Sequence, residues 1–448
     1  MKSFWRKGAT ATAALGAAVL ALTATGCSPA ADKGSTAGSS GPNTTVTVRL
    51  WDEQVQKAYE ASFKEFEAKN PNITVKTTLE PFSTYFDKLR TDVSGGNADD
   101  IFWVSSSYFA PYADNGSLLE IGSEFDSEKS GWVPAAVDQY TRNGKLWGVP
   151  QLTDGGIAVY YNKAMLAKAG VDPSDLSWNP TDPSKDTFLK AAQKLTLDAN
   201  GKTADDPSFD KDHIVQYGYN ASQDLQAIYY NFIGSNGGAF QDGEKFVFAS
   251  DKSAQAFQYV VDLINKYHVS PGAANTNDNG DFLRDQFIQG HVAMFQSGTY
   301  NLKNVSDGAK FDWAIAPIPA GPEGRVSVVN NIVAAANAKT THKDATLKVL
   351  QWLGSAEGSK FIGAEGAAVP AVTAAQSSYA DFWKAKGVDS SQFAKAAEGK
   401  TISAPVGSNY GAAANAWKPI FNEIFLGRTP VKEGLQKAQD AANAAMTQ

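Results

Sequence analysis

One stretch, residues 45–104, decides the fold: TVTVRLWDEQVQKAYEASFKEFEAKNPNITVKTTLEPFSTYFDKLRTDVSGGNADDIFWV. Residues 46–50 alternate between apolar and polar side chains, which is the pattern of a half-buried β-strand. Across residues 55–66 the apolar side chains instead recur at helical spacing, and Asn70-Pro71 ends that helix. The chain therefore opens on a strand followed by a helix.

The same alternation continues to the end of this stretch. Residues 73–79 predict a second strand, and a helix running through residues 82–93 follows it, capped by Ser83 and closed by Gly95-Gly96. Residues 99–104 predict a third strand. Three strands separated by two helices indicate an α/β layer with a largely parallel sheet.

Beyond Pro150 the alternation of strands and helices begins again. Residues 157–161, 291–296 and 326–336 predict strands. The predicted helices are 162–170, 184–196, 222–233, 251–267, 281–289, 342–353 and 356–363, and residues 376–447 read as mostly helical. This restart indicates a second α/β unit after the first one.

The N-terminus has the pattern of an export signal. Basic residues up to Lys7 precede an uncharged, alanine-rich stretch that ends at Gly26, directly before Cys27. A cysteine at this place can be acylated, so we expect residues 1–26 to be removed and Cys27 to anchor the chain by lipid to the outer face of the cytoplasmic membrane. The alternative is a plain secretory signal with an incidental cysteine. Residues 27–43 are rich in Ser, Gly, Ala and Pro and predict a flexible tether.

Composition excludes several classes of protein. The 448 residues suggest two or three domains. The chain carries 40 basic and 47 acidic residues, a net charge of −7, without a Lys/Arg block, so we expect no nucleic-acid partner. A single cysteine excludes an internal disulfide and a CxxC site. We expect a monomer.

No enzyme signature is present in the sequence. HExxH, GxSxG, GxGxxG and a complete phosphate loop are all missing, and the four histidines lack metal-ligand spacing, so we expect neither a cofactor nor a metal. The acidic loop 198–210 could hold a hard cation, but its spacing differs from an EF-hand loop and a solvated turn is favoured. Paired carboxylates for glycoside cleavage cannot be identified by spacing alone.

Aromatic and polar residues follow the ends of predicted strands, where ligands bind in open α/β sheets. These segments are Trp51-Asp52-Glu53, Ser105–Tyr108 and Gln151–Asp154. A large ring beside a carboxylate suits a sugar, whose hydroxyl groups need acceptors and whose C–H face needs a flat surface. The alternative is that Trp51 packs in the core and Asp52 caps the next helix.

Six segments, in order along the chain, resemble landmarks of one known family. They are LWDEQVQKAYEASFKEFEAKNPNITV, YFDKLRTDVSGGNADDIFWV, NGKLWGVPQLTDGGIAVYYNKAMLAKAGV, FIQGHVAMFQSGTYNL, DWAIAPIPAGPEGR and KDATLKVLQWLGSAEGSKFIGAEGAAVP. The chain is similar to family 1 of the extracellular solute-binding proteins, the carbohydrate receptors of bacterial ABC importers. The resemblance covers nearly all of the chain after the signal, although the last seventy residues match only in helical character.

The resemblance implies a periplasmic-binding-protein-like fold of type II, with two α/β lobes, hinge strands and a ligand cleft between the lobes. It implies capture of an oligosaccharide without chemical change and delivery to the transmembrane subunits of an ABC permease. Crossings are expected near Thr153, Asp307 and Pro370. The expected lobe segments are 44–152 and 308–369 for the first lobe, and 153–307 and 370–448 for the second.

The resemblance also assigns ligand-binding positions. Tyr300 stands in the family's Gly-x-Trp landmark, here Gly298-Thr299-Tyr300, and Asn330-Asn331 replace a glycine-rich landmark. Asp154 matches a polar position beside the hinge, although Gly155 replaces the threonine that often follows. The full set of expected ligand-binding residues is Trp51, Asp52, Glu53, Ser106, Tyr108, Gln151, Asp154, Asn220, Gln223, Tyr300, Asn330, Asn331 and Tyr410.

Two other functions remain open from the sequence. A lipid-anchored extracellular glycoside hydrolase needs only two carboxylates, so missing motifs argue against it only mildly. A receptor for a peptide or another non-sugar solute would share the fold. The ring-rich strand ends favour a sugar over a peptide.

Overall fold

A computed structural model describes residues 43–153, 155–277 and 279–447. Its strands are β1 (Thr44–Leu50), β2 (Ile73–Leu79), β3 (Ile101–Ser105), β4 (Thr141–Arg142), β5 (Lys145–Leu146), β6 (Val149–Thr153), β7 (Ile157–Asn162), β8 (Leu197–Asp198), β9 (Ile214–Gln216), β10 (Gln241–Asp242), β11 (Lys245–Phe246), β12 (Met294–Gly298), β13 (Trp313–Pro317), β14 (Val326–Val329), β15 (Asn331–Ala336) and β16 (Lys400–Ser403).

The helices alternate with these strands. They are α1 (Glu53–Lys69), α2 (Phe82–Gly95), α3 (Ser106–Asp114), α4 (Asp126–Lys129), α5 (Pro134–Gln139), α6 (Lys163–Ala169), α7 (Thr187–Leu195), α8 (Tyr230–Ser235), α9 (Asp251–Asn265), α10 (Ala273–Thr276), α11 (Phe282–Ile288), α12 (Leu302–Gly308), α13 (Lys343–Gly354), α14 (Ala356–Ala364), α15 (Gln376–Ala385), α16 (Ser391–Glu398), α17 (Tyr410–Phe425) and α18 (Val431–Met446). A π-helical turn, Leu225–Tyr229, leads into α8. In the part of the chain that the structure describes, no helix is long and apolar enough to cross a membrane.

The first lobe is built on a five-stranded sheet of order β2-β1-β3-β15-β6. Strand β1 pairs in parallel with β2 and β3, whereas β15 runs antiparallel to β3 and to β6. The three N-terminal strands and the parallel arrangement are therefore confirmed. Helices α1, α2 and α13 pack against this sheet in one hydrophobic core.

The second lobe is built on shorter sheets. Strand β7 is central, with β12 and β13 antiparallel on its two sides, and β14 pairs in parallel with β16. A large core around α9, α17 and α18 lies in this lobe, and its centre is a cluster of aromatic rings that includes Phe257, Trp417 and Phe421. The C-terminal helices predicted from the sequence are confirmed. Helices α17 and α18 belong to this core, whereas α15 and α16 pack in a separate one around Tyr160.

Glycines in the sequence predicted the ends of two helices correctly, whereas one predicted helix cap is wrong. Gly96 closes α2 in the left-handed conformation at φ 77°, and Gly170 does the same for α6 at φ 64°, as the glycines predicted. The predicted cap of α2 at Ser83 is wrong, because the helix already begins at Phe82 and Pro81 precedes it. Ser83 therefore lies inside the first turn, and a residue there cannot act as the N-cap, which directly precedes the helix.

The predicted strand 326–336 is two strands in two different sheets. Strand β14 pairs with β16, and after Asn330 the chain enters the five-stranded sheet as β15. Apolar residues continue on both sides of Asn330 because both strands are buried. Their spacing does not reveal which neighbouring strand each of the two pairs with. Strand β13 likewise pairs with β7 and not with the first sheet. The lobe boundaries stay predictions.

Candidate functional site

Trp51 lies at the carboxyl end of β1 and is half-buried among aromatic side chains. Its ring centroid is 4.8 Å from that of Tyr85, 5.0 Å from that of Trp103 and 5.5 Å from that of Phe82, all with edge-to-face geometry. Phe82 is itself 58% exposed. The cluster thus extends from the core of the first lobe to its surface, and Trp51 packs in it while remaining partly exposed.

Asp52 caps helix α1. Its Oδ1 atom accepts hydrogen bonds from the backbone N–H groups of Gln54 at 2.8 Å and Val55 at 3.0 Å. The helix-capping alternative is therefore confirmed for this residue. Burial raises the pKa of Asp52 to about 6, because the loss of water disfavours the charged carboxylate more than the two N–H donors stabilise it.

The raised pKa of Asp52 gives a pH-dependent prediction. The folded chain holds this proton up to about pH 6, whereas an unfolded aspartate loses it near 3.8, so the contribution of Asp52 to stability declines as pH rises between these values. Asparagine also caps helices but does not titrate. We expect the free energy of unfolding of Asp52→Asn, relative to the wild type, to increase by up to about 3 kcal/mol between pH 4 and pH 7. Urea unfolding at the two pH values measures this; parallel pH profiles would contradict it.

Tyr108 and Tyr410 meet between the two lobes. The Tyr108 ring, from α3, lies flat on Phe86 of α2, with centroids 3.7 Å apart and 4° between the ring planes. The first residue of α17, Tyr410, places its ring edge against Tyr108 at 4.9 Å. Burial raises the pKa of Tyr108 to about 12, so its hydroxyl group is neutral and can donate a hydrogen bond. The structure brings these two predicted residues together.

Ser106 and Asn330 also meet, at the end of β3. The Ser106 hydroxyl group donates to Oδ1 of Asn330 at 2.7 Å. The neighbouring Asn331 is buried, and its Nδ2 atom donates to Oε1 of Gln139 at 2.9 Å. Its own Oδ1 atom is buried without a hydrogen-bond partner among the described residues. Ser106 and Asn330 are thus hydrogen-bonded to each other, whereas Asn331 lies behind them in the first lobe.

Gln151 and Asn220 are in the interior and not in an open cleft. Gln151 is fully buried and accepts a hydrogen bond from the hydroxyl group of Tyr59 at 2.5 Å. Asn220 is 2% exposed, and its amide both donates to the carbonyl of Gln296 at 3.0 Å and accepts from its N–H at 2.8 Å. Both side chains therefore form hydrogen bonds with other buried residues of the protein. Residue type and position along the chain do not reveal such partners.

Glu53 and Gln223 each have a partner within the protein. The Glu53 side chain is exposed and forms an ion pair with Lys57 one helical turn later, at 2.9 Å. Gln223 donates from Nε2 to the backbone carbonyl of Lys418 at 3.4 Å, so it contacts the same helix, α17, that carries Tyr410.

The remaining predicted positions are Tyr300, Asp154 and Cys27. Tyr300 directly follows β12 and its ring lies over Gly298, where a Cβ atom would come within 2.2 Å of a ring carbon. Only glycine fits beneath this ring. Asp154 and Cys27 lie outside the described residues, as do the signal segment and all but the last residue of the predicted tether.

A cavity of about 390 Å³ lies between α2 and α3 of the first lobe and α17 of the second. It includes the predicted residue Tyr108. Its other aromatic lining residues are Phe82, Phe86 and Tyr112, and its amide and hydroxyl lining residues are Ser83, Ser94, Asn115, Ser117, Ser408, Asn409 and Asn415. Aromatic walls with a few polar groups are the usual composition of a small-molecule site.

A larger cavity of about 680 Å³ lies where β6 and β12 end, between α15 and α16. Thr153, Thr299 and Phe393 line it, but no described residue that the sequence predicted for ligand binding does so. The smaller cavity is therefore the better candidate, because Tyr108, one of the predicted ligand-binding residues, lines it.

In the acidic loop 198–210, backbone N–H groups of the loop itself bind the Asp198 carboxylate. The Asp198 carboxylate accepts N–H hydrogen bonds from Asn200 and Lys202, each at 2.8 Å, and from Asp210 at 2.9 Å. Within the described ranges, no group of three acidic, histidine or cysteine side chains could hold a metal ion.

Sequence reasoning missed the contribution of helices α2 and α17 to the cavity. Phe86, Arg90 and Lys418 line it. Phe86 lies on the apolar face of α2, where helical spacing indicates a core residue, and no sequence motif singled out the two cations. The one sequence feature that could have indicated this contribution was Phe82, an aromatic residue at the first position of α2.

The family model described as bacterial extracellular solute-binding protein matches residues 51–360. A crystal structure of UspC from M. tuberculosis is 52% identical to this chain, covers 90% of it and all of UspC, and gives a TM-score of 0.70. The ABC substrate-binding protein Lmo0181 from Listeria monocytogenes, solved with cycloalternan, is 22% identical with a TM-score of 0.77 over 90% of this chain and 99% of that one.

Another relative is the maltodextrin-binding protein MdxE of Bacillus subtilis. It is 26% identical over 313 residues, which span 70% of this chain and 68% of MdxE. The structural similarities confirm the predicted fold, with two α/β lobes of the binding-protein type.

Proposed function

Because this chain belongs to the bacterial extracellular solute-binding protein family, we propose that it captures an oligosaccharide between its lobes and delivers it unchanged to an ABC permease. The observation that carries the proposal is the cavity between α2, α3 and α17, where aromatic side chains stand beside amides and hydroxyl groups. Aromatic faces suit the C–H face of a sugar ring, and the amides suit its hydroxyl groups.

Contacts between the lobes support a closed, ligand-binding arrangement. Besides the Tyr108–Tyr410 pair, Nε2 of Gln54 in α1 donates to Oδ1 of Asn304 in α12 at 2.8 Å. Closure of lobes about a hinge is one of the standard conformational changes of proteins, and a ligand drives it only through its higher affinity for the closed state. We propose that the chain returns to the first lobe at Asn330, where it leaves β14 for β15. The crossing expected from the sequence lies near Asp307.

The relatives support a saccharide as the ligand. MdxE is named for maltodextrin, and Lmo0181 was solved with cycloalternan. In the proposed role the chain is exported, held at the outer face of the cytoplasmic membrane through Cys27, and works as a monomer beside its permease. A tether then keeps the receptor at high local concentration near the transporter.

A thermal-shift screen over di- to pentasaccharides tests the proposed ligand class. Ligand at a hundred times its Kd adds about 2.7 kcal/mol to the free energy of unfolding, which is a Tm increase of a few degrees for a protein of this size. We expect at least one saccharide to give this shift. A panel without any shift, alongside a peptide or amino acid that produces one, would overturn the saccharide assignment.

The same ligand separates binding from hydrolysis. We expect the saccharide to be recovered intact after long incubation with the protein, because a receptor returns its ligand unchanged. Shorter products detected by chromatography would favour the glycoside hydrolase alternative instead.

A further inference from the structure

The cavity between α2, α3 and α17 carries an unbalanced positive charge. Arg90 and Asp87, both on α2, form an ion pair at 3.1 Å and largely cancel each other. Lys418 lines the same cavity from α17 and forms no ion pair with any described residue. The cavity therefore has one uncompensated cation in a chain whose net charge is −7.

Helix α17 contributes both Lys418 and its own first turn to the lining of the cavity. Gly411, Asn415 and Lys418 are spaced i, i+4 and i+7, so they share one face, and all three line the cavity. The first turn has no side-chain cap, because the Asn409 amide instead donates to the carbonyl of Met446 at 3.2 Å. Free N–H groups at a helix start carry partial positive charge and favour an anion nearby.

The desolvation of the Lys418 ammonium group also favours an anion bound beside it. Although much of the residue is exposed, the surrounding protein removes water from the ammonium group and lowers the pKa of Lys418, and only Asp87 acts in the opposite direction. An anion bound beside the ammonium group would replace the lost hydration with a charge-assisted hydrogen bond.

We propose that this cavity binds the anionic substituent of an acidic saccharide, with Lys418 and the first turn of α17 holding the anion and the Phe86–Tyr108 wall contacting the sugar ring. This inference rests on the proposed function and narrows its ligand class. The anion is a carboxylate, as in a uronic acid, or a phosphate ester. Both present oxygen acceptors at a single charged group, so the experiment includes one probe of each kind.

The test compares charged saccharides with neutral partners of the same size by calorimetry. One pair is trigalacturonate and its trimethyl ester; the other is 6-phosphomaltotriose and maltotriose. In the wild type we expect at least one charged member to bind about tenfold or more tightly than its neutral partner. We expect that ratio to fall about tenfold in Lys418→Met, which keeps most of the aliphatic stem, and to be largely retained in Lys418→Arg.

A matched control is Lys432→Met. Lys432 is on α18, its side chain is 82% exposed, and its substitution changes the net charge by the same amount without touching the cavity. We expect it to leave the charged-to-neutral ratio as in the wild type.

The outcomes separate this inference from the proposed function. Ratios near one in the wild type for both pairs, or ratios that Lys418→Met and Lys432→Met lower equally, would overturn the anion site. Binding of the neutral saccharides would then still support an oligosaccharide receptor. If no saccharide of either kind bound, the proposed function would fail, and the anion site with it.

Discussion

Replacing Trp51 by alanine is expected to lower the free energy of unfolding by about 3 kcal/mol and to weaken oligosaccharide binding about thirtyfold or more. The stability loss follows from its aromatic neighbours, with centroids between 4.8 and 5.6 Å away, since deleting the indole leaves a gap among them. The binding loss follows because the same ring remains partly exposed beside the cavity-lining Phe82. Urea unfolding measures the first effect and calorimetry the second.

A matched pair of variants separates packing from binding. Trp51→Phe and Trp132→Phe both reduce an indole to a phenyl ring in the first lobe, and Trp132 is 2% exposed and does not line the cavity. We expect both variants to lose stability, and only Trp51→Phe to lose affinity. If the two bind saccharide equally well, Trp51 is solely a packing residue.

The second large effect is expected at Gly156, which lies between β6 and β7. Its φ is +79°, and a Cβ atom there would come within 2.9 Å of the backbone nitrogen of Ala397 in α16. Gly156→Ala therefore combines a left-handed backbone with a collision against a helix. We expect it to lower the free energy of unfolding by about 3 kcal/mol, measured by urea unfolding.

Gly170→Ala is the control for Gly156→Ala. Gly170 also has a positive φ, +64°, but a Cβ atom there meets nothing within 4 Å. We expect this variant to lose only about 1 kcal/mol, the conformational part alone. Equal losses in the two variants would show that α16 moves aside and that the contact at Gly156 is unimportant.

The sequence could predict features that depend on neighbouring residues. The spacing of apolar side chains in residues 46–50 and 55–66 predicted β1 and α1, and the glycines predicted the ends of α2 and α6. Asp52 was correctly identified as a capping residue in one of two alternatives. Each of these outcomes is determined within one strand or one helical turn, so it can be read along the chain.

Predictions about long-range partners were less successful. The pattern of residues 326–336 indicated one strand, and the structure divides it at Asn330 between two sheets. Gln151 and Asn220 are polar, and their type suggested ligand contacts, but Tyr59 and Gln296 satisfy them in the interior. A polar side chain looks the same in sequence whether its partner is a ligand or another buried residue.

The sequence by itself determined the alternation of strands and helices and the family of this protein, because short-range periodicity and local motifs persist in the linear order of residues. Tertiary structure alone decided which sheet each strand joins, that Tyr108 meets Tyr410, and that Lys418 lines the cavity without an ion-pair partner among the residues that the structure describes. Those outcomes depend on contacts between residues far apart along the chain, such as Tyr108 and Tyr410, and burial and charge pairing are properties of such contacts and not of any one segment.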